Sequence, residues 1–580
     1  MGGISNGAQD GLHREARLIF HAMILLLLVA FVGIMIDPVE DKRGFTTFLF
    51  VRQDALLAIG IALMARFALV TGARAPDWLI AMAPRWWLVP LALLLVCWGG
   101  HHLVFQAHPL IRDEQMALFD AFIYRHGQIG WPIAPFWRDY AMALNQQFIL
   151  PVAGHQAWLS DYLPGHAVTR VLVATMIDPA WTNPLLTAIG AVALWRIACR
   201  LWPDDAGARM TALLLYGGSS QVIIMGMTSY AMSGYLALNL VWLALFLRGG
   251  RMGHAGAMLT GVIATGWHQP IFHPLFVLPF FAMLGWQRRR MVLTAYMLAY
   301  GVIGLGWLAW PHLVADSMGG TPAQIDTVGY GGRILLLLSD FGPVNLWLMA
   351  MNLLRFVTWQ HLLMMPLMLA GLWSARRDPL ALALAAGLVI PIGAVTILLA
   401  YQGHGWGYRY LHGVIGNACL LGGYGWIALQ RRGALPRFST ALHLASLLLV
   451  LPVHAMMAAT IAAPYAAVSR SIAAIDADVA VIDDLAVAFG GDLVINRPDL
   501  SNRPIRLMTS QMDVQAMTRL CLRNRVAFVG QAQLAPVQRA IVVEESSTAH
   551  FARLRSACRA VSPARRASSV RTRSGSSRYS

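Results

Sequence analysis

"WWLVPLALLLVCWGGHHLV", residues 86–104, is followed after a short link by "PLIRDEQMALFDAFIYRHGQI", residues 109–129. The first stretch is an unbroken apolar run of spanning length. The second sets Asp113 and Glu114 side by side where the chain leaves that run. A carboxylate pair costs little when it faces water and a great deal when it enters lipid without a partner. The fold therefore depends on whether the first stretch crosses a membrane, and the site on which side the second emerges.

Composition answers the first point. The chain has 580 residues, of which 57% are hydrophobic and 12% charged, and its mean hydropathy is +0.57. Soluble domains are about one quarter charged. The formal net charge of +16 could suggest nucleic acid, yet no basic stripe interleaved with aromatics supports that. The positive charge falls instead in short clusters between apolar runs, as it does in cytoplasmic loops. Lys42 is the one lysine, so no GxxxxGK[ST] phosphate loop exists and a Walker-type ATPase is excluded. The cysteines at 97, 199, 419, 521 and 558 form no zinc spacing. Cys521 and Cys558 share the polar C-terminal region and could pair if that region is exported.

Apolar runs lie at 18–36, 54–70, 86–104, 182–200, 210–227, 229–247, 254–268, 271–286, 291–310, 359–374, 379–400, 411–429 and 438–460. Each is near the roughly 20 residues of a helical span. The expectation is an all-α polytopic membrane protein of about 13 transmembrane helices. The run 18–36 lacks a cleavage site and reads as a retained anchor. Arg14 and Arg17, Arg248 and Arg251, Arg288 to Arg290, Arg376-Arg377 and Arg431-Arg432 are consistent with a cytoplasmic N-terminus. Residues 106–181, 311–358 and 401–410 then face outward, with the tail from about 461. Asp113 and Glu114 emerge at the outer surface. No internal repeat is evident, which weighs against many transporter folds.

The outer segments carry the candidate chemistry. Ala117, Leu118, Ala121 and Phe122 recur at helical spacing, so residues 114–125 read as a helix along the membrane with Asp113 at its N-cap. Two readings of the pair stand: a capping Asp with Glu on the helix dipole, or a proton-transfer group. "WLSDYLPGHAVTRVLV", 158–173, supplies a turn at Tyr162, Pro164 and Gly165 that feeds a second helix. "YQGHGWGYRYLHG", 401–413, packs aromatics around Arg409. That arginine either snorkels to headgroups or takes a phosphate bidentately.

Together these stretches resemble the bacterial C-class glycosyltransferases, the multispan superfamily of protein O-mannosyltransferases and aminoarabinose transferases. The likeness covers about 85–430 and is carried by "RDEQMALFDAFIY" (112–124), "DYLPGH" (161–166), "TNPLLTAIGAVALWRIACRLWP" (182–203), "GVIATGWHQPIFHPLFVLPF" (261–280) and "GYRYLHG" (407–413). The pattern departs at Leu163, where the family has proline, at Asp161, where it often has a basic residue, and at His268-Gln269, which replace an arginine before Pro270. The last two departures shift the phosphate contact toward Arg409.

The resemblance implies sugar transfer from a polyprenyl-phosphate donor to an acceptor hydroxyl of a glycan, glycolipid or protein at the periplasmic face of the inner membrane. Asp113 would be the base and Glu114 would orient the acceptor. Arg409 would stabilise the leaving phosphate. Arg112, Tyr162, His166, His268, Gln269 and Tyr410 complete the expected substrate site. No metal motif is present, and no cofactor is certain; two carboxylates and a phosphate could hold a divalent cation. Membrane lipid is a partner and nucleic acid is not.

The linear division reads 1–84 as additional spans, 85–460 as the catalytic membrane region, 461–560 as a small extracytoplasmic α/β domain and 561–580 as a disordered basic tail. In the third part "ADVAVIDD", "GDLVINRP", "PIRLMT" and "RVAFVG" read as strands, with a helix near 512–523. Two rivals remain. A multispan polysaccharide polymerase or ligase would need no Asp-Glu pair in its first loop. A transporter or lipid flippase should carry charge within its spans, where Arg66 and Arg355 alone come near, Arg355 on an expected surface helix.

Overall fold

The computed structural model describes residues 44–318 and 338–573, with short breaks at 69–70, 74–75, 146, 151, 340, 434, 437–438 and 542–547, and helical positions 21, 25 and 28. The run 18–36 lies almost wholly outside the described residues, and so does the side chain of Arg66. The chain forms two compact units.

The first unit comprises Met1–Ala107, Leu163–Trp310 and Val328–Ala458, and its described residues are mostly helical. Thr182–Leu201 forms a helix that buries Leu186, Ala191, Leu194 and Ile197 and packs on Met232–Arg248. At its start Asn183 Nδ2 donates to the carbonyls of Thr228 and Tyr230, both at 2.7 Å. Among the described residues four helices are long and apolar enough to span a bilayer: Pro179–Leu201, Arg290–Ser317, Pro379–Leu398 and Ser439–Ala473. A fifth span is reached if Asp77–Arg85 and Leu88–Leu103, bent by 78°, count as one.

Among the described residues this is fewer than the expected thirteen. Several apolar runs break into pieces too short to cross alone. The run 210–227 divides at Gly218-Ser219 into Ala206–Gly217 and Ser220–Gly226, where Ser219 caps the second piece. Met232–Arg248, Phe272–Trp286 and Met364–Ser374 are apolar but shorter.

Within this unit Arg355 lies on the helix Pro343–Thr358, which keeps an exposed face at Leu346. Arg355 itself is fully buried, and its Nε lies 2.8 Å from Asp54. Hydropathy cannot foresee this, because a charge is tolerated inside only when a distant segment supplies its counter-ion.

The second unit gathers His108–Tyr162, Pro311–Thr327 and Ala459–Ser580. Residues 108–162 thus group with the C-terminal region, while the rest of the expected loop 106–181 falls in the first unit, a division that no linear reading gives. Its core is a three-stranded parallel sheet in which Val479–Ile482 lies between Ile505–Met508 and Val526–Val529. All four residues of the central strand are buried, as a parallel strand covered on both faces requires. The crossover helix Val514–Arg523 begins with Asp513 accepting the Ala516 N–H and buries Ala516, Met517, Leu520 and Cys521. Cys521 is disulfide-bonded to Cys558 of the helix Thr548–Arg573.

"GDLVINRP" is not a strand. It begins with the tight turn Gly490–Leu493, and the carbonyls of Gly491 and Val494 accept from Arg112 at 2.7 and 2.9 Å. Acceptors taken by a guanidinium are lost to a strand ladder. The helix Thr548–Arg573 also enters the stretch expected to be disordered, while 574–580 lie outside the described residues.

Candidate functional site

The candidate residues fall in both units. In the second unit the helix Arg112–Arg125 is preceded by Ile111, which occupies the N-cap with no side-chain cap. Asp113 is therefore not the N-cap. It stands one residue inside the helix, and its carboxylate accepts the hydroxyl of Tyr162. Glu114 Oε2 accepts the Leu110 N–H at 2.9 Å, one residue before the N–H that a capping-box Glu takes, and so ties the incoming chain to the helix start. Both carboxylates are buried, Glu114 at 1% exposure. The Asp-Glu dipeptide thus divides into a structural member and one aimed elsewhere.

Asp120 was missed by sequence reasoning. It lies seven residues after Asp113, about two helical turns, so the two share one helix face. That face is met by residues 160–162: Ser160 Oγ donates to Asp120 at 2.7 Å, as Tyr162 does to Asp113. Burial pushes the Asp120 carboxyl up to about 7, with the Ser160 bond opposing. The spacing of two acids at i and i+7 was the available signal.

Arg112, expected at the substrate, is turned to structure. Its guanidinium donates to Gly491 and Val494 and its own N–H to Asp492 at 3.1 Å, while Gln115 Nε2 donates to the Asp492 carbonyl at 2.6 Å. A cavity of about 370 Å³ lies beside this helix, with Arg112, Gln115, Phe119, Trp158 and Asn496 among its walls. Arg112, Gln115 and Phe119 lie on the helix face away from Asp113 and Asp120.

In the first unit the turn after Tyr162 is built by close backbone approach. Leu163, Gly165 and His166 N–H groups donate to His268, Gly266 and Trp267 carbonyls, each at 2.9 Å. A Cβ on Gly165 would lie 2.7 Å from the Gly266 oxygen, and one on Gly266 would run into the Trp307 ring, so each position needs a glycine for its own reason. This pairing brings His166 and His268 together. Burial, with Arg170 and His268 nearby, holds His166 well below its usual value. Gln269 engages through its backbone: the Tyr235 hydroxyl donates to its carbonyl at 2.8 Å and accepts its N–H at 2.6 Å.

Arg409 lies over the rings of Tyr230 and Tyr410, at 5.4 and 5.1 Å, and donates to the Tyr410 hydroxyl at 3.3 Å. Tyr410 stacks in turn on Phe272. Arg409, Tyr410 and Tyr235 line one small cavity with Asn239 and Phe272. A guanidinium held flat between aromatic faces keeps its fork edge oriented. Among the described residues no three His, Cys, Asp or Glu side chains gather in a metal-ligating group.

No family model matches the sequence, and no curated protein matches it. Among solved structures the chain is similar to ArnT from Cupriavidus metallidurans bound to undecaprenyl phosphate, at 15% identity over 78% of this chain and 88% of that one, with a TM-score of 0.48. It is similar also to ArnT from the same organism in the apo state, at 15% identity over 80% and 90%, with a TM-score of 0.46. At that level neither structure assigns a role to a residue of this chain.

Proposed function

We propose that the chain is an integral-membrane glycosyltransferase that moves a sugar from a polyprenyl-phosphate donor to an acceptor hydroxyl, with inversion, at the outer face of a bacterial inner membrane. The observation that carries this reading is the buried Asp113 carboxylate oriented by the Tyr162 hydroxyl. It is supported by the order of motifs along the chain, and the Cys521–Cys558 disulfide is consistent with an oxidising compartment for the second unit.

Asp113 accepts the proton of the acceptor hydroxyl as its oxygen bonds to the anomeric carbon. The bond from that carbon to the donor phosphate oxygen breaks, and its electron pair leaves with the lipid phosphate. Arg409 stabilises the charge that grows there. A base already held in one orientation needs little rearrangement when the acceptor arrives. Glu114 keeps the helix start in place and acts on Asp113 only through it. His166, His268 and Gln269 shape the donor part through the backbone pairing that carries them.

The test is a panel of radiolabelled polyprenyl-phosphate sugars offered to purified protein with lipid and glycan acceptors. Transfer from at least one donor that is lost in Asp113→Asn is expected. Absence of transfer across the panel, with undecaprenyl phosphate also failing to bind, would move the chain to the transporter or polymerase classes.

A further inference from the structure

Asp54 and Arg355 form an ion pair with no exposure on either side chain, Oδ2 to Nε at 2.8 Å. Asp54 sits at the end of a widened helical turn, Phe50–Asp54, ahead of the helix Ala55–Ala68. Its Oδ1 accepts Trp359 Nε1–H at 2.7 Å and the Thr358 hydroxyl at 3.0 Å. Arg355 Nη2 donates to the Gly405 carbonyl at 3.0 Å. One turn earlier on the same helix, Asn352 Nδ2 donates to the Ala400 carbonyl at 2.7 Å. Both donors thus hold the segment that ends in Arg409.

That segment is tied from within as well. Gln402 accepts the Arg409 N–H at 3.0 Å and donates to the Gly407 carbonyl at 3.0 Å. Gln221 Nε2 takes the Tyr408 carbonyl at 2.8 Å, and the Tyr230 hydroxyl takes that of His404 at 3.3 Å. Gly407 has φ +68°, and a Cβ there would collide with Gln221. Tyr230 is also one of the rings beneath Arg409. Every tether ends on backbone, so the network sets where the segment runs.

Burying two charges costs several kcal/mol per ion, and apolar residues of similar volume often serve stability as well. A pair kept at that cost fits a role in geometry better than one in stability. We propose that Asp54 and Arg355 are positioning residues for Arg409: through the Gly405 carbonyl they set the segment 400–409 so that the Arg409 guanidinium is presented to the donor phosphate. The N-terminal segment, which the sequence likeness leaves out, thereby contributes to donor binding. This inference rests on the reading of Arg409 as the phosphate contact.

The experiment compares purified full-length Arg409→Ala, Asp54→Glu, and the double variant Asp54→Leu/Arg355→Met. Thermal unfolding, affinity for undecaprenyl phosphate in detergent, and KM and kcat for donor are read for each. The double variant is expected to unfold some degrees below wild type, because the Trp359 N–H and the Thr358 hydroxyl lose Asp54 as acceptor, yet to stay folded at assay temperature and to bind the phosphate about tenfold more weakly, with KM rising more than kcat falls. Asp54→Glu keeps the charge but displaces it by one methylene, and should raise KM severalfold with the fold intact; it decides the matter if the double variant does not fold. Wild-type affinity and KM in a folded double variant, or in Asp54→Glu where the double does not fold, overturns the positioning role. If Arg409→Ala itself binds undecaprenyl phosphate as wild type does, the underlying reading of Arg409 fails, and that result is separate because it does not involve Asp54 or Arg355.

Discussion

Asp113→Asn separates the structural and chemical meanings of the carboxylate pair. The helix start is secured by Glu114 on the Leu110 N–H, so an amide at 113 leaves that bond untouched. The amide oxygen can still accept the Tyr162 hydroxyl, although a charge-assisted bond becomes a neutral one and a favourable charge near the helix N-terminus is lost. Together these amount to about 1–2 kcal/mol. In a chain of this size that is a fall of only a few °C in unfolding temperature, roughly 2–4 °C per kcal/mol or less. An amide cannot take a proton from the acceptor, so turnover should drop about a hundredfold or more. The control is Glu114→Ala, which leaves a buried N–H without its acceptor and should cost about 1–3 kcal/mol. Glu114→Gln keeps an acceptor and should be milder. Transfer of radiolabelled sugar and thermal unfolding are measured on the same preparations. Near-normal turnover in Asp113→Asn, or a variant that does not fold at all, would refute the division of labour.

Arg409→Lys keeps the charge but loses the planar fork and its seat between Tyr230 and Tyr410; donor KM should rise about tenfold, and an unchanged KM would remove the phosphate role. Asp120 is raised from 3.8 to about 7 by burial, so between those values the folded protein keeps a proton that the unfolded chain has released. Its stability contribution is complete below about 4 and is lost as pH rises through about 7. Asp120→Asn should therefore flatten the fall in unfolding temperature between pH 5 and 8, and parallel profiles would refute this. Arg112→Met removes two bonds from a buried guanidinium to Gly491 and Val494 and should destabilise the second unit by about 3 kcal/mol, read as earlier proteolysis of the C-terminal region. Cys521 and Cys558 should resist maleimide labelling until reduced; labelling of both thiols beforehand would exclude the bond.

The membrane class was legible because hydropathy is a sum over neighbouring residues and needs no partner. So was the helix after Asp113, with apolar residues at helical spacing, and so were the strands at 479–482, 505–508 and 526–529, short apolar runs between turn signals. Where a run breaks was not: an apolar run does not reveal whether a Gly-Ser pair within it will cap a new helix, as Ser219 does. The roles of Asp113 and Glu114 could not be told apart locally either, since both suit a helix N-terminus.

What the sequence by itself determined is where chemistry-bearing residues enter and leave apolar stretches, because that order is local and read along one dimension. What only the tertiary structure decided is whom each charge meets: Tyr162 on Asp113 across 49 residues, Gly491 on Arg112 across 379, and Asp54 on Arg355. A buried charge must find a partner or be excluded. Which distant carbonyl or carboxylate remains available is settled only after the helices and strands have taken their own backbone bonds.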